Sequence, residues 1–331
     1  MSKPVIPEVS VIIVSWNSKE ELKACLCSLA PGLEGVSHEV IVVDNASSDG
    51  TPGMVKELFP QFRLIANGDN RGFAAANNQG LALAGGEYLL LLNPDTVLLK
   101  GAAGGLLDFM RSEPEAGAVG PAFLTGPGCP ASIRTGIFRF PGIKDELFLD
   151  TFLSDLSDLV HRLFSMRGRA PEAAGGTGPV EADWVSGACM LVRRQALEEA
   201  GGLDPGFFLY MEELEWCYRI KRVCGWKIFI LPYLSIIHTC GASTAKRNAA
   251  EILAIYYDSR YKFFKKHWPP CLVLPLRLVK GLLLSLSVLK WMFIAAAVPA
   301  RRTAAADKTK GLFAVLPVVL GLTSPRPSGR K

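Results

Sequence analysis

Apolar residues in the first hundred positions come as short unbroken runs, separated by stretches of helical length and mixed character. The run Val-Ser-Val-Ile-Ile-Val at 9–14 predicts a buried strand, followed by Ser15-Trp16-Asn17. Ser18 and Glu21 have the spacing of a capping box and predict a helix to about residue 29. A second strand at 39–43 ends in Asp44-Asn45-Ala46-Ser47-Ser48-Asp49-Gly50. Thr51 as N-cap and Pro52 at the first helical position start the next helix. A third strand, 62–66, runs into Asn67-Gly68-Asp69-Asn70-Arg71-Gly72, and the helical run 73–84 stops at Gly85-Gly86. A fourth strand, 88–92, ends in Asn93-Pro94-Asp95-Thr96. Continuous apolar strands alternating with helices predict an α/β fold with a mostly parallel central sheet and helices on both faces.

Each strand delivers polar residues at its C-terminal end: Asn17, Asp44, Asn67 with Arg71, and Asp95. Singly, each serves equally well as turn chemistry. Together they mark the sheet edge where open α/β folds bind ligands. Two nucleotide motifs are excluded. A dinucleotide fingerprint needs glycines after the first strand, where residues 15–29 have none, and a P-loop needs a Gly-Lys pair that occurs nowhere. A nucleotide here must be held by side chains.

Beyond residue 117 the pattern predicts a strand at 118–123, a helix at 148–164 with acids on one face, a Gly-rich linker at 173–179, and a loop and strand at 182–193. The segment 203–219 is different in kind. Phe207, Phe208 and Tyr210 run into Glu212, Glu213 and Glu215 at a helix start. Carboxylates beside aromatic rings lose solvent, which raises their pKa towards the range of a general base. The competing account is structural: acids favour a helix N-terminus, and Glu215 can pair with Arg219 one turn on. A short strand at 227–231 precedes His238-Thr239-Cys240-Gly241-Ala242-Ser243.

The 331 residues are 49% hydrophobic and 20% charged, enough for one large α/β domain and an appendage. The net charge of +5 is unevenly spread: residues 249–331 hold only Glu251, Asp258 and Asp307 as acids against many Lys and Arg. The chain divides accordingly into a domain at 1–248 and a basic, apolar helical region at 249–331. Within that region 256–268 is an aromatic, basic helix. The apolar run 271–298 is interrupted by Arg277, Lys280 and Lys290, and 311–322 is a second, shorter run. Neither reaches the ~18 uncharged apolar residues of a clean span. With Trp268 and Trp291 as interfacial aromatics, the composition fits helices lying in an anionic membrane surface; a tilted span with a snorkelling Lys290 and a dimerisation helix are the alternatives. No nucleic-acid-binding signature is present. The eight cysteines form no CxxC pair and read as buried free thiols. Residues 1–7 lack the sections of a signal peptide, so the first domain is expected in the cytoplasm.

The blocks Val-Ser-Val-Ile-Ile-Val-Ser-Trp-Asn, Val-Val-Asp-Asn-Ala-Ser-Ser-Asp-Gly-Thr, Asn-Arg-Gly-Phe-Ala-Ala-Ala-Asn-Asn-Gln-Gly and Leu-Leu-Leu-Leu-Asn-Pro-Asp-Thr are followed by Gly187-Ala188-Cys189-Met190, by 201–217, and by His238 with Gly241 and Ser243. In this order they resemble an inverting glycosyltransferase of family 2 with the GT-A fold, over residues 9 to about 243. The wording is most similar to the rhamnosyltransferase-like branch that builds bacterial cell-surface glycans. The resemblance implies that Ser15 and Asn17 hold the nucleotide, Asp44 contacts base or ribose, and Arg71 meets the phosphates. Asn93 and Asp95 then occupy the Asp-x-Asp metal motif, with one carboxylate replaced by an amide. Asp95 and His238 would hold Mg²⁺ or Mn²⁺, Glu213 (where the family usually has Asp) would be the base, and Glu212, Trp184 and Gly187 would shape the acceptor side. The implied donor is a nucleotide-sugar, dTDP-rhamnose first and UDP- or GDP-hexoses second. The acceptor is a lipid-linked or growing glycan at the cytoplasmic face of the bacterial inner membrane. A non-catalytic membrane scaffold that keeps the nucleotide fold is the alternative of a different class.

Overall fold

The structure is a computed structural model that describes residues 6–125, 139–149, 151, 178–239 and 248–325. The four apolar runs form strands β1 (Val9–Ser15), β2 (His38–Asp44), β3 (Arg63–Ala66) and β4 (Tyr88–Leu92). They pair in parallel in the order β3-β2-β1-β4, with Val9 beside His38 and Tyr88. The register brings Ser15, Asp44 and Ala66 to one edge. The crossing helices are α1 (Lys19–Gly32), α2 (Thr51–Leu58) and α3 (Phe73–Leu83). Alternation along β1 assigns the two faces. Val9, Val11 and Ile13 pack with Leu22, Leu26, Met54 and Leu106, whereas Ile12 packs with Ala74, Leu81 and Trp216. Burial on both faces explains why these strands read as unbroken apolar runs.

The second half of the sheet is mixed. After β5 (Thr96–Val97) and α4 (Ala102–Ser112) come β6 (Ala116–Thr125), α5 (Ile143–Phe148), β7 (Val180–Ala182), β8 (Cys189–Arg193), α6 (Arg194–Ala200), α7 (Glu212–Tyr218) and β9 (Lys227–His238). β8 lies antiparallel to β4 and β6, while β6 and β9 are parallel. Two short strands, β5 and β7, add antiparallel to β9.

Several local expectations are corrected. Ser18 precedes α1 but makes no cap; its hydroxyl turns to Ser15 Oγ at 3.0 Å. The cap of α2 is Gly50, in the left-handed region, with Thr51 already helical and bonded to Asp49. A helix, α5, ends at Phe148, and the helix expected at 148–164 and the linker expected at 173–179 fall mostly on positions 150, 152–164 and 173–177, which lie outside the described residues. The strand expected at 227–231 continues through Pro232 to His238, passing the proline at a register shift against β6. Gly241 and Ser243 lie outside the described residues. Of the six described cysteines, Cys25, Cys189 and Cys217 are buried thiols as expected, but Cys27 and Cys271 are exposed.

The C-terminal region forms α8 (Ala249–His267), α9 (Pro270–Ala297) and α10 (Arg302–Val319). Tyr257, Tyr261 and Phe264 of α8 share a core with Leu284 and Val288 of α9 and Val315 and Val319 of α10. Phe207, Met211 and Leu214 join the same core, so these helices seat directly on the acidic segment. α9 is long and apolar enough to cross a membrane by length and composition, and 39% of its most apolar window is buried against the protein. Its inner face carries Val273, Leu276, Lys280, Leu284 and Val288; its outer face exposes Leu274, Leu278, Leu282, Leu289 and Phe293.

Candidate functional site

At the C-terminal edge of β1, β2 and β4 lies a cavity of about 320 Å³. Asn45 organises one wall. Its Nδ2 donates to Asn70 Oδ1 and to the Gly72 carbonyl, both at 3.1 Å, and its Oδ1 accepts from Asn67 Nδ2 and the Arg71 N–H. Gly72 sits at φ +84°, and a Cβ there would lie 2.7 Å from the Phe208 carbonyl. The next N–H, of Phe73, donates to that carbonyl at 2.9 Å. Only glycine permits this turn and this approach, which joins the 67–72 loop to the 207–211 loop.

The opposite wall carries the acids. Tyr210 and Met211 both have positive φ, an unfavourable pair for side-chain-bearing residues. They turn the chain so that α7 opens with Glu212 and Glu213 facing the cavity. Each has an Oε2 atom withdrawn from solvent and without a hydrogen-bond partner. Burial pushes both carboxyls up; Glu212 rises further, because the Glu213 charge adds to its burial. The Gly187 N–H donates to Glu213 and limits the rise there. A Cβ on Gly187 would already touch Glu213 Cβ at 3.4 Å, so the glycine fixes how closely that strand end approaches the carboxylate.

Across the cavity, His238 Nε2 lies 3.2 Å from Asp95 Oδ1. The pairing of Thr96 with His238 in β5–β9 sets this distance, and Thr239 donates twice to the Asp95 carbonyl. Asn93 Oδ1 is buried with no hydrogen-bond partner. Among the described residues no group of three or more His, Cys, Asp or Glu side chains is arranged around a metal position. Carboxylate, imidazole and orphaned amide oxygen nevertheless form a donor set suited to a divalent cation that takes its other ligands from phosphate oxygens and water.

The remaining expected residues fall into two groups. Gly187, Asn93, Asp95, Glu212, Glu213 and His238 line the cavity together. Ser15 is fully buried, and its carbonyl accepts from Asn45 N–H. Asn17, at φ +51°, accepts from the Ser48 N–H at 2.7 Å and ties two loops. Asp44 accepts from the Ser47 N–H, and burial raises its pKa while its Oδ1 stays unpartnered. The exposed Arg71 lies 3.5 Å from Asp69. None of these four lines the cavity. Trp184 lines a second cavity of about 880 Å³, which shares Glu213 and Tyr210 with the first. Trp16, Asn70, Phe73 and Ser186 line the first cavity and were not singled out from the sequence. Trp16 and Asn70 stand beside expected residues at strand ends, and that adjacency was the available signal.

Residues 10–169 match the sequence model described as Glycosyl transferase family 2. The chain is 28% identical over 272 residues to the N-acetylglucosaminyl-diphospho-decaprenol L-rhamnosyltransferase of Mycobacterium tuberculosis, covering 76% of this chain and 82% of that one. It is 24% identical over 240 residues to the rhamnosyltransferase WbbL of Escherichia coli, covering 70% and 83%. In three dimensions it resembles the mannosyltransferase PcManGT of Pyrobaculum calidifontis, solved with GDP-Man and Mn²⁺, with a TM-score of 0.58 at 17% identity and coverage of 96% and 88%.

Proposed function

We propose that this chain is a rhamnosyltransferase-like glycosyltransferase of family 2 with the GT-A fold, and that it moves L-rhamnose from a dTDP donor onto a lipid-linked glycan, with inversion. The observation that carries the reading is the position of Glu213. Its unpartnered Oε2 stands at the junction of two cavities, one of which also holds Asp95, His238 and Asn93. Two adjoining spaces with a carboxylate between them suit a two-substrate displacement.

In this reading the donor occupies the first cavity. A divalent cation, Mn²⁺ or Mg²⁺, would be held by Asp95, His238 and the Asn93 amide oxygen, and would supply charge neutralisation for the diphosphate. Glu213 accepts the proton of the acceptor hydroxyl. The freed oxygen forms its bond to the anomeric carbon as the bond from that carbon to the diphosphate oxygen breaks. The nucleoside diphosphate leaves with the electron pair, and the proton passes from Glu213 to solvent. Burial and the Glu213 charge raise Glu212 further than burial raises Glu213, so of the two Glu213 gives up its proton more readily. Asp44, at the end of β2, has its free Oδ1 for a base or ribose group.

The outer face of α9, apolar while its inner face packs on the protein, supports a helix lying in the membrane surface, and the basic tail supports an anionic one. Helices 249–331 then act as a membrane-association region for the 1–248 catalytic domain, on the cytoplasmic side. Thermal stabilisation by dTDP, UDP and GDP, each with and without Mn²⁺, tests the donor reading. The expected result is a metal-dependent shift with dTDP, and no shift with any nucleotide contradicts it. Saturation at ~100 times the dissociation constant adds about 2.7 kcal/mol. A larger shift with UDP or GDP would reassign the donor to another hexose.

A further inference from the structure

Helix α8 meets the chain that leads to Glu213 in reversed order. Lys266 pairs with Asp204 at 2.6 Å, and Lys262 donates to the Gly206 carbonyl at 2.9 Å. Ser259 donates to the Leu209 carbonyl at 2.8 Å, and the Tyr256 ring packs edge-on against Tyr210 with centroids 6.0 Å apart. Positions 256, 259, 262 and 266 recur every three or four residues and therefore share one face of the helix. That face binds residues 204–210 stepwise, in the antiparallel sense. Past Glu213 the same helix takes hold again: Lys266 and His267 both reach Glu215 Oε1, at 2.8 and 3.1 Å.

The loop requires such a support. Tyr210 and Met211 both hold positive φ, a conformation that persists only where the surroundings dictate it. The two carbonyls just ahead of them are held by different elements: that of Phe208 accepts from the Phe73 N–H of α3, and that of Leu209 from Ser259. The Leu209 carbonyl shares a rigid peptide plane with the Tyr210 N–H, so the Ser259 hydroxyl orients the plane from which the left-handed turn begins. Ser259 is buried and lines neither cavity, which leaves its hydroxyl no direct part in substrate contact. Through Arg260 and Tyr261, α8 is itself anchored to α5: Arg260 pairs with the fully buried Glu146, which also accepts from Tyr261 Oη at 3.0 Å. The second cavity is lined by 139–145, by Trp184 with Tyr210–Leu214, and by Tyr256 to Leu272, three segments that meet where α8 holds the loop.

From these contacts we propose that α8 is a splint for the loop that carries the base, and that Ser259 is a positioning residue for Glu213, acting through the Leu209–Tyr210 peptide. The C-terminal region then serves the chemistry directly, beyond the membrane association proposed for it. The positioning role rests on Glu213 as the proton acceptor.

Ser259→Ala in the full chain is the test, with Tyr261→Phe as the control. The control removes another buried hydroxyl of α8, one that donates to Glu146 and not to the loop. Amide hydrogen exchange over residues 204–216, measured without substrates, should quicken about tenfold or more in Ser259→Ala and less than about threefold in Tyr261→Phe. Lys262→Met, which takes the donor from the Gly206 carbonyl at a side chain 41% exposed, is the second variant and should quicken the same amides. Transfer from dTDP-L-rhamnose to a farnesyl-diphosphate-linked sugar, both saturating, gives the functional reading. Ser259→Ala should lower kcat about tenfold, but less than about threefold in the Glu213→Gln background, because a base that has been removed cannot be misplaced. Loop exchange as slow as in wild type, or quickened equally by Tyr261→Phe, would overturn the splint. An equal loss of kcat with and without Glu213 would show a general loss of structure and overturn the positioning role. Transfer by Glu213→Gln alone within about tenfold of wild type would remove the base, and the positioning role with it. That failure is distinguishable, because it leaves the exchange comparison unchanged. If the wild type transfers nothing, the chosen substrates are at fault and the exchange comparison decides.

Discussion

Glu215 separates the structural work of α7 from its chemical work, and Glu215→Gln measures the structural part. The carboxylate is fully buried yet surrounded by hydrogen-bonding partners: the cations Arg219 at 2.9 Å and Lys266 at 2.8 Å, and His267 Nε2 at 3.1 Å. Burial alone would push its pKa up; hydrogen bonds from His267, Arg219 and Lys266 outweigh it and bring the value from 4.5 to about 2. At ~1.4 kcal/mol per unit, that depression corresponds to about 3 kcal/mol of stability. Seen from the other side, the variant leaves the Arg219 and Lys266 cations facing a neutral amide, a loss of the same order. At pH 7 Glu215→Gln should therefore lower stability by about 3 kcal/mol, or roughly 5–10 °C in melting temperature. The pH dependence has a definite sign. A depressed carboxylate stabilises fully above its unfolded value, so the gap to wild type stays constant from pH 7 to about 4.5 and closes as pH falls towards about 2. Melting of both proteins between pH 3 and 7 is the assay. A loss below ~1 kcal/mol at pH 7, or a gap unchanged at pH 3, would refute the reasoning.

Further outcomes follow from the same geometry. Asp95→Asn should abolish the Mn²⁺-dependent part of nucleotide stabilisation while leaving the stability without ligand within about 1 kcal/mol of wild type, read by thermal shift. Gly72→Ala, forced to positive φ and against the Phe208 carbonyl, should cost about 2–4 kcal/mol and is checked by thermal denaturation. Because burial raises Glu213, the rate of transfer should rise with pH through a value above the ordinary carboxylate range, seen as a displaced acid limb in kcat/KM.

The parallel half of the fold was legible because strands buried on both faces leave unbroken apolar runs, as in β1 and β4. The mixed half was less so: β9 hides its length behind Pro232, and β8 has the apolar character of a parallel strand while running the other way. Among site residues, Glu213, Asp95 and His238 were marked by chemistry at a strand or helix end, and they share one cavity. Ser15 and Asn17 carry the same signal but use it on Ser18 and Ser48, because sequence does not say which way a side chain turns. Asn45 showed the reverse: a residue readable as a turn former holds a whole cavity wall. The second cavity was not legible at all, since its three segments meet only through tertiary packing.

The most direct measurement is transfer by Glu213→Gln, a change that keeps shape and removes the base. With donor and acceptor saturating, kcat should fall by about 10²–10⁴, with nucleotide stabilisation as in wild type. Transfer within tenfold of wild type, at unaltered nucleotide binding, would contradict Glu213 as the proton acceptor and with it the central claim.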